Sequence, residues 1–481
     1  MRGVGRFGPL QERPFRLLWL ARTGSSVGDS LIPVALAFAV IGIHGHALGL
    51  GVVLGARTIA LGTSTIAGGV WADRLPRRAV MVSADLLRFG TEAVTAVLLL
   101  EGTAQVWHLV VLQSAAGIGV GFFTPASTAL VPQCVSAGNL QKANALLSTS
   151  ENGTRIFGPV VSGAIVAAAG PGWCFAVDAA TFLVSASFVA AMRVEAHVRP
   201  VAQRFWRDVA DGWHEVRRHR WLTAGFLGFA LGNLGIGIYV VLGPFVANAH
   251  LHGKVGWGLI LGAIPIGGLL GGVVAYRIRP EHPVASAFAI WSLCAVFPFA
   301  LVRPFPLPVV MVAAAILGAC ILIGNALWET AMQQEVRPDR LARVASIDAL
   351  LSVGLMPIGQ ALAGAVAAGV GTPATLLLAG TLMCVPNLVV VAFVREVRNV
   401  RRRDQAEADA DLLDEGQPGQ GEDCEHEHHD QCGARDRLGA RGEAFRDGQA
   451  VVLGRVVALA DAGEHEDLVV HREPVQERED H

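Results

Sequence analysis

The chain has 481 residues, of which 52% are hydrophobic and only 16% charged, with 56 Gly but 2 Tyr. A soluble protein so poor in charge cannot cover its surface, so soluble multidomain, collagenous, disordered and disulfide-framework classes are excluded for most of its length. The net charge of −2 hides a split: residues 1–394 hold 26 Lys+Arg against 17 Asp+Glu, whereas residues 395–481 hold 12 against 23.

An apolar run of about 20 residues crosses a hydrocarbon core about 30 Å thick as a helix. Twelve such runs are expected, at 15–43, 48–71, 79–100, 106–131, 144–169, 173–193, 222–248, 256–277, 283–302, 307–331, 345–369 and 373–394. Barrel-type alternation is absent, and lipid tolerates no unpaired backbone group, so the spans are helices. The first follows Arg2, Arg6, Arg13 and Arg16, contains Arg22 and Asp29, and is too long for a cleaved leader. The fold class is therefore an all-α membrane protein, with twelve transmembrane helices in two pseudo-symmetric six-helix bundles.

Alternate connections are basic. They carry Arg74, Arg77 and Arg78, then Lys142, then Arg193 through Arg220, then Arg277 and Arg279, then Arg337, Arg340 and Arg343. Arg395, Arg398, Arg401, Arg402 and Arg403 follow the last span, while the opposite connections show only Lys254 and Arg303. This bias predicts a multi-pass protein of the cell (plasma) inner membrane with both termini cytoplasmic. Four regions are expected: an N-terminal bundle over 1–193, a cytoplasmic central loop over 194–221, a C-terminal bundle over 222–394 and an acidic cytoplasmic tail over 395–481. Within the loop, Phe205, Val209, Trp213 and Val216 recur at helical spacing, with Arg207, Asp211, Arg217 and Arg218 elsewhere. That pattern suits an amphipathic helix on the inner membrane face.

The halves repeat at an offset of about 200 residues. Val135–Gly170 matches Val336–Gly371, pairing Leu140 with Leu341, Gly158 with Gly359 and Gly163 with Gly364. Gly69-V-W-A-Asp73-Arg74 has a degraded echo in Gly272-V-V-A-Tyr276-Arg277. Two similar six-helix halves with a path between them are a common transporter plan.

The strongest local signal is Gly69-V-W-A-Asp73-Arg74-L-Pro76-Arg77-Arg78, after span two. Gly allows close helix approach, Asp73 can cap or pair with a neighbouring helix end, and the arginines face the inner leaflet. By charge bias alone they are also readable as anchors. In span three, Asp85 and Arg88 lie one turn apart and are assigned to the same network. Gly117-I-Gly119-V-Gly121 in span four is read as helix packing. In span five, Arg155-x-x-Gly158-Pro159-x-x-x-Gly163 combines a lost backbone hydrogen bond with small residues, so the helix can bend or simply pack closely.

These motifs resemble the major facilitator superfamily, whose signature G-x-x-x-D-R-x-G-R-R is matched at Gly69, Asp73, Arg74, Arg77 and Arg78, with Pro76 in place of Gly. The resemblance implies that Asp73 contacts the far half and gates the inward opening. The Gly-Pro pair looks like the signature of the antiporter branch. Three further stretches resemble the drug-exporting branch that includes macrolide efflux proteins and siderophore exporters. They are F-R-L-L-W-L-A-Arg22-T-G-S-S-V-G-Asp29, Asp178-A-A-T-F and R-P-D-R-L-A-Arg343-V-A-S. The similarity covers roughly residues 10–395.

A charge at mid-bilayer costs about 2.5–3.5 kcal/mol on insertion scales, so buried charges are the candidates for coupling. These are Asp29, Arg57, Glu92, Glu151 and Arg155. The other reading is a fixed structural pair, Asp29 with Arg57 or Glu92 with Arg155. Asn233, Asn325, Trp328 and Glu329 are candidate cavity residues in the second half, with Glu329 alternatively at the cytoplasmic rim. The chain contains two lysines, Lys142 and Lys254, neither followed by Ser or Thr, so no Walker loop exists. No catalytic residue, cofactor, metal site or nucleic-acid surface is assigned in the body, and the protein is expected not to be an enzyme. In the tail, Cys424-E-His426-E-His428-His429-D-Q-Cys432 is open to three readings: a metal tract, a disordered charged segment, or translation of a spurious frame. The expected function is secondary active transport: a monomeric, proton-coupled exporter of amphipathic small molecules, with the lipid bilayer and protons as partners. Metabolite uptake or facilitated diffusion is the alternative within transport, and a non-transporting receptor or enzyme the alternative outside it.

Overall fold

A computed structural model describes residues 8–44, 46–72, 75–193, 213–214, 216–336, 340–341, 344–345, 347–348 and 354–400. By contacts the chain divides into units 1–404 and 405–481. The second unit lies outside the described residues, and with it the Cys424–Cys432 tract. Phe205 and Val209 of the expected amphipathic helix also lie outside them.

No strand forms among the described residues. They build twelve principal helices: α1 (Arg13–His44), α2 (Ala47–Ala72), α3 (Arg77–Leu100), α4 (Val106–Cys134), α5 (Leu140–Ala169), α6 (Pro171–Ala190), α7 (Arg220–His250), α8 (Gly253–Arg277), α9 (Pro283–Val302), α10 (Leu307–Glu335), α11 (Met356–Val370) and α12 (Thr372–Phe393). A short α13 (Arg395–Asn399) follows. Nine of the twelve are long and apolar enough to cross a membrane by length and composition. The polar and charged residues of α3 and α5 keep those two below that measure, and only 15 residues of α11 are described as one helix.

Local chemistry sets the breaks. α5 and α11 end at Gly170 and Gly371, with φ of 92° and 88°, a region that glycine enters without steric cost. Pro171 and Pro373 then open the next helices, where a missing N–H is harmless. α9 tightens to a 3₁₀ turn at Leu293–Ala295. Pro298, four residues beyond Cys294, cannot donate to the Cys294 carbonyl, which explains the interruption.

The repeat is visible in the packing. Gly158 seats α5 against Ser30 of α1, and its counterpart Gly359 seats α11 against Leu234 of α7. Gly163 faces the start of α8, where a Cβ would lie 2.7 Å from the Lys254 carbonyl oxygen. Its counterpart Gly364 faces Ala47 and Leu48 at the start of α2. Gly117 likewise brings α4 onto α2 at Arg57, and Gly318 brings α10 onto α8 at Ile264. In lipid, such close van der Waals contact is what associates helices.

The C-terminal ends of α2, α4, α8 and α10 share one end of the bundle, here termed the basic end. The halves join toward the other, far end, through α5 on α8 and α2 on α11. There Gly51 approaches Gln360, Gly258 approaches Pro159, and the Lys254 ammonium donates to the Val166 carbonyl at 3.3 Å. The apolar core follows the same division. One buried cluster runs through the far end of α1 and α2 into the C-terminal half. A second, containing Phe15, Leu18, Met81, Leu130 and Leu147, fills the basic end of the N-terminal half alone.

Candidate functional site

Between those two clusters lies a polar layer centred on Arg88 of α3, which is 2% exposed. Its guanidinium pairs with Asp29 of α1 and lies 3.7 Å over the Phe182 ring of α6. Asp178 and Asp85 also lie within its electrostatic reach. The Ser185 hydroxyl donates to Asp85 at 2.6 Å. Asp178 is fully buried behind Gly28 and Thr181, and neither of its oxygens has a hydrogen-bond partner among the described residues. Arg88 thus faces Asp29, Asp85 and Asp178 together.

The expected alternative pairs are not formed. Asp29 binds Arg88 rather than Arg57. Arg57 donates to Gln113 Oε1 at 2.8 Å, and Gln113 Nε2 donates to Glu92 at 3.0 Å. A carboxamide therefore relays Arg57 to Glu92, because it can accept on one side and donate on the other. Next to Arg57, the Thr58 hydroxyl reaches Gln360 Oε1 of α11 at 2.9 Å, so this chain ends at the junction of the halves. Arg155 is exposed and has no ion pair among the described residues, whereas Glu151 pairs with Arg22 at 2.5 Å.

Asp29, Arg22, Glu151, Arg155 and Arg88 line a cavity of ≈ 390 Å³ between α1, α4 and α5, bounded at its inner edge by Pro159. Pro159 sits inside an unbroken α5, flanked by Gly158 and Gly163 in the packing contacts described above. A second cavity, of ≈ 270 Å³, lies in the C-terminal half. Asn233, Asn325, Trp328 and Glu329 all line it, and Glu329 is exposed. Both cavities lie on the basic-end side of the junction.

The motif after α2 is only partly described. Gly69 lies in α2, and Asp73 and Arg74 lie outside the described residues. Arg77 donates to the Ala129 carbonyl of α4 at 2.7 Å, and Arg78 donates to the Ala190 carbonyl at the end of α6. Both arginines thus hold α3 against helix ends of their own half. Nearby, Glu12 accepts from Ser136 N at 2.8 Å, Ser136 Oγ at 2.9 Å and Asn139 Nδ2 at 2.9 Å. Partial burial pushes the Glu12 carboxyl up, but the hydrogen bonds from Asn139 and Ser136 outweigh it and hold the group below its ordinary value of 4.5.

Sequence reasoning missed Arg22 as the partner of Glu151, the Gln113 relay, and the place of Asp178 beside Arg88. Asp178 carried a usable signal, an acid in an otherwise apolar run of the same kind as Asp29. Ser185 and Gln113 carried none, since uncharged polar residues are common in membrane helices.

The arrangement of two six-helix halves joined at one end, each with its own cavity, agrees with the comparisons. The sequence model of the family described as transmembrane secretion effector, a branch of the major facilitator superfamily, matches residues 4–416. The chain belongs to that family. Among relatives, the multidrug efflux pump Tap of Mycolicibacterium fortuitum is 28% identical over 400 residues, covering 79% of this chain and 96% of the relative. Macrolide efflux protein A of Streptococcus pyogenes is 24% identical over 401 residues, covering 80% and 97%. Solved structures share the fold at low identity. The nucleoside transporter NupG aligns with a TM-score of 0.64 at 12% identity, covering 79% of this chain and 99% of that one. A POT peptide transporter in complex with alafosfalin aligns at 0.65 with 14% identity, covering 83% and 97%. This major facilitator protein is therefore a multi-pass membrane transporter of the secondary type, and not an enzyme.

Proposed function

We propose that this transporter is a proton-coupled exporter that moves amphipathic small molecules out of the cytoplasm as a monomer. The basic end is taken as cytoplasmic, with both termini there, because most of the body's arginines lie in or beside its connections. The family's drug-pump relatives support export. On that orientation the structure is the inward-open form, with both cavities accessible from the side where substrate enters.

The observation that carries proton coupling is the position of Asp29. It borders the N-terminal cavity and at the same time pairs with the buried Arg88, beside Asp85 and Asp178. A proton arriving at Asp29 weakens its hold on Arg88 and hands the cation to the two remaining acids. That exchange moves α1 relative to α3 and α6, and biases the opening. Arg57, Gln113 and Glu92 connect the same helices to the junction at Gln360, and Glu151, Arg22 and Arg155 set the charge of the cavity mouth. In the role assigned to Gly69, Asp73, Arg74, Arg77 and Arg78, the motif closes the basic end by crossing to the other half. The bonds of Arg77 and Arg78 within their own half fit a disengaged gate.

The test is transport in inside-out vesicles with Asp29→Asn. Proton-driven accumulation of a fluorescent drug should be lost while counterflow exchange persists; undiminished proton-driven accumulation rejects the assignment. Thiol labelling of single cysteines at both ends in intact cells checks the orientation.

A further inference from the structure

Helices α9 and α10 pack antiparallel, and one seam between them carries two thiols. Gly324 of α10 leaves no room for a Cβ beside the Trp291 ring of α9. Three residues further along α9, the Cys294 thiol lies 4.0 Å from the Leu317 carbonyl of α10. Leu317 and Cys320 are three apart in one helix and so share a face. That register sets Cys294 opposite Cys320, and the two thiols hydrogen-bond to each other. Neither is part of a disulfide.

Both side chains are buried, Cys294 at 4% and Cys320 at 6% exposure. Cys294 nonetheless forms part of the wall of the C-terminal cavity, as does Ile321, the residue after Cys320. Cys134, Cys174 and Cys384 line neither of the two cavities described above. A buried free cysteine ordinarily acts as a small apolar side chain. A facing pair beside a cavity has a further chemistry, because two thiols can hold one soft atom between them. The sulfurs are in non-bonded contact, so a bridging atom joins them with little movement, whereas a disulfide has to draw them to about 2.05 Å.

Trivalent arsenic is such an atom. An arylarsine oxide reacts with two thiols by forming two As–S bonds and breaking the As=O bond, and the oxygen leaves as water with both thiol protons. Arsenic stays trivalent, so the step needs no oxidant or reductant. The aryl group requires apolar space beside Cys294. The cavity supplies ≈ 270 Å³ there, with Phe229, Trp291 and Trp328 in its wall. Phe229 and Trp291 lie 4.2 Å apart, centroid to centroid, at 70°, and Trp291 and Trp328 lie 6.1 Å apart at 59°. Tilted rings of this kind make edge and offset contacts with a further ring.

We propose that Cys294 and Cys320 form a dithiol site in the wall of the C-terminal cavity, and that its ligands are uncharged trivalent organoarsenicals bearing one aryl ring. Once bridged, the site ties α9 to α10 and fills the cavity, which blocks transport. The site stands on the two thiols alone, and the block rests on the transport reading.

Phenylarsine oxide on the full chain in detergent tests it, with excess mercaptoethanol added afterwards to strip singly bound arsenic and tryptic mapping by mass. Trypsin does not cut before proline, so residues 278–340 stay one segment whose cysteines are Cys294 and Cys320, while Cys424 and Cys432 fall on another. The 278–340 segment should carry one phenylarsenic group, keep it against mercaptoethanol and release it to dimercaptopropanol. Cys294→Ser and Cys320→Ser should each weaken retention by about tenfold. If either variant fails to fold, the mapped segment of the unaltered chain still decides. No arsenic on that segment, its loss to mercaptoethanol, or full retention in both variants overturns the site. Drug transport in liposomes with an imposed pH gradient should stop when the segment is loaded and return with dimercaptopropanol. A loaded segment with undiminished transport overturns the block and leaves the site standing. Absence of transport before any treatment overturns the transport reading instead.

Discussion

In the N-terminal half, the wall of the cavity is made of ion pairs: Arg22 with Glu151, and Asp29 with Arg88. At the corresponding place in the C-terminal half the wall is made of rings, with Trp328 at the centre of five other aromatic side chains. The two halves keep the same helix contacts, as Gly158 and Gly359 or Gly163 and Gly364 demonstrate, so the scaffold does not impose this difference. A duplicated fold can therefore divide labour. One half lines its cavity with ion pairs, and the other with a preorganised aromatic wall.

Two removals should cost the most and should differ in kind. Arg88→Ala takes the guanidinium from the part-exposed Asp29 and from the buried Asp85 and Asp178, and leaving a buried charge uncompensated costs about 3–5 kcal/mol. Trp328→Ala empties the ring cluster at a similar cost of about 3–5 kcal/mol. Melting of the purified protein in detergent should show both losses. Restoring charge balance with the double change Arg88→Met and Asp29→Asn should recover part of the first and has no counterpart for the second. If Arg88→Ala melts like the unaltered chain, the polar layer is not a structural element at all.

Gly258→Leu should act on the junction rather than on either half. A side chain there overlaps the Pro159 carbonyl, so the far-end contact of α5 with α8 opens. Labelling of a cysteine introduced at Ala47 should become faster, and melting should shift less than for Arg88→Ala. Gln113→Ala removes the relay and leaves Arg57 and Glu92 without it, at about 1–3 kcal/mol for unsatisfied buried groups. Its effect should be confined to the N-terminal half, so the near-ultraviolet circular dichroism of the ring cluster around Trp328 should persist.

The smallest effect concerns Glu12. Its carboxyl is held below 4.5 in the folded chain, so its contribution is complete above that value and is lost as pH falls through the lowered one. Glu12→Gln should reproduce the acid form at neutral pH. Protease cleavage between α4 and α5 should rise in the variant at pH 7, and the difference from the unaltered chain should shrink progressively as the pH falls below 4.5.

Much of this molecule was legible as a string. The apolar runs set where helices lie, because lipid forbids any other pairing of the backbone. Gly170 and Gly371, and the matched glycines upstream of each, announced two similar halves. Asn233, Asn325, Trp328 and Glu329 could be named as polar or aromatic residues in apolar runs. Pairing was a different matter. Asp29 had two arginines at comparable depth, Arg57 and Arg88, and the choice depends on how α1, α2 and α3 are rotated about their axes. Hydropathy has no information on rotation when a helix is apolar on most sides. The same limit hid Arg22 beside Glu151 and Asp178 beside Arg88.

The sequence by itself therefore determined the number and place of the helices, the duplication, and the inventory of charges forced into an apolar environment. Only the tertiary structure decided which acid meets which base and which rings form one wall. It also decided at which end the halves touch. The physical reason is range: burial in lipid acts on each segment alone, whereas ion pairs and ring contacts act over a few ångströms between segments far apart in the chain.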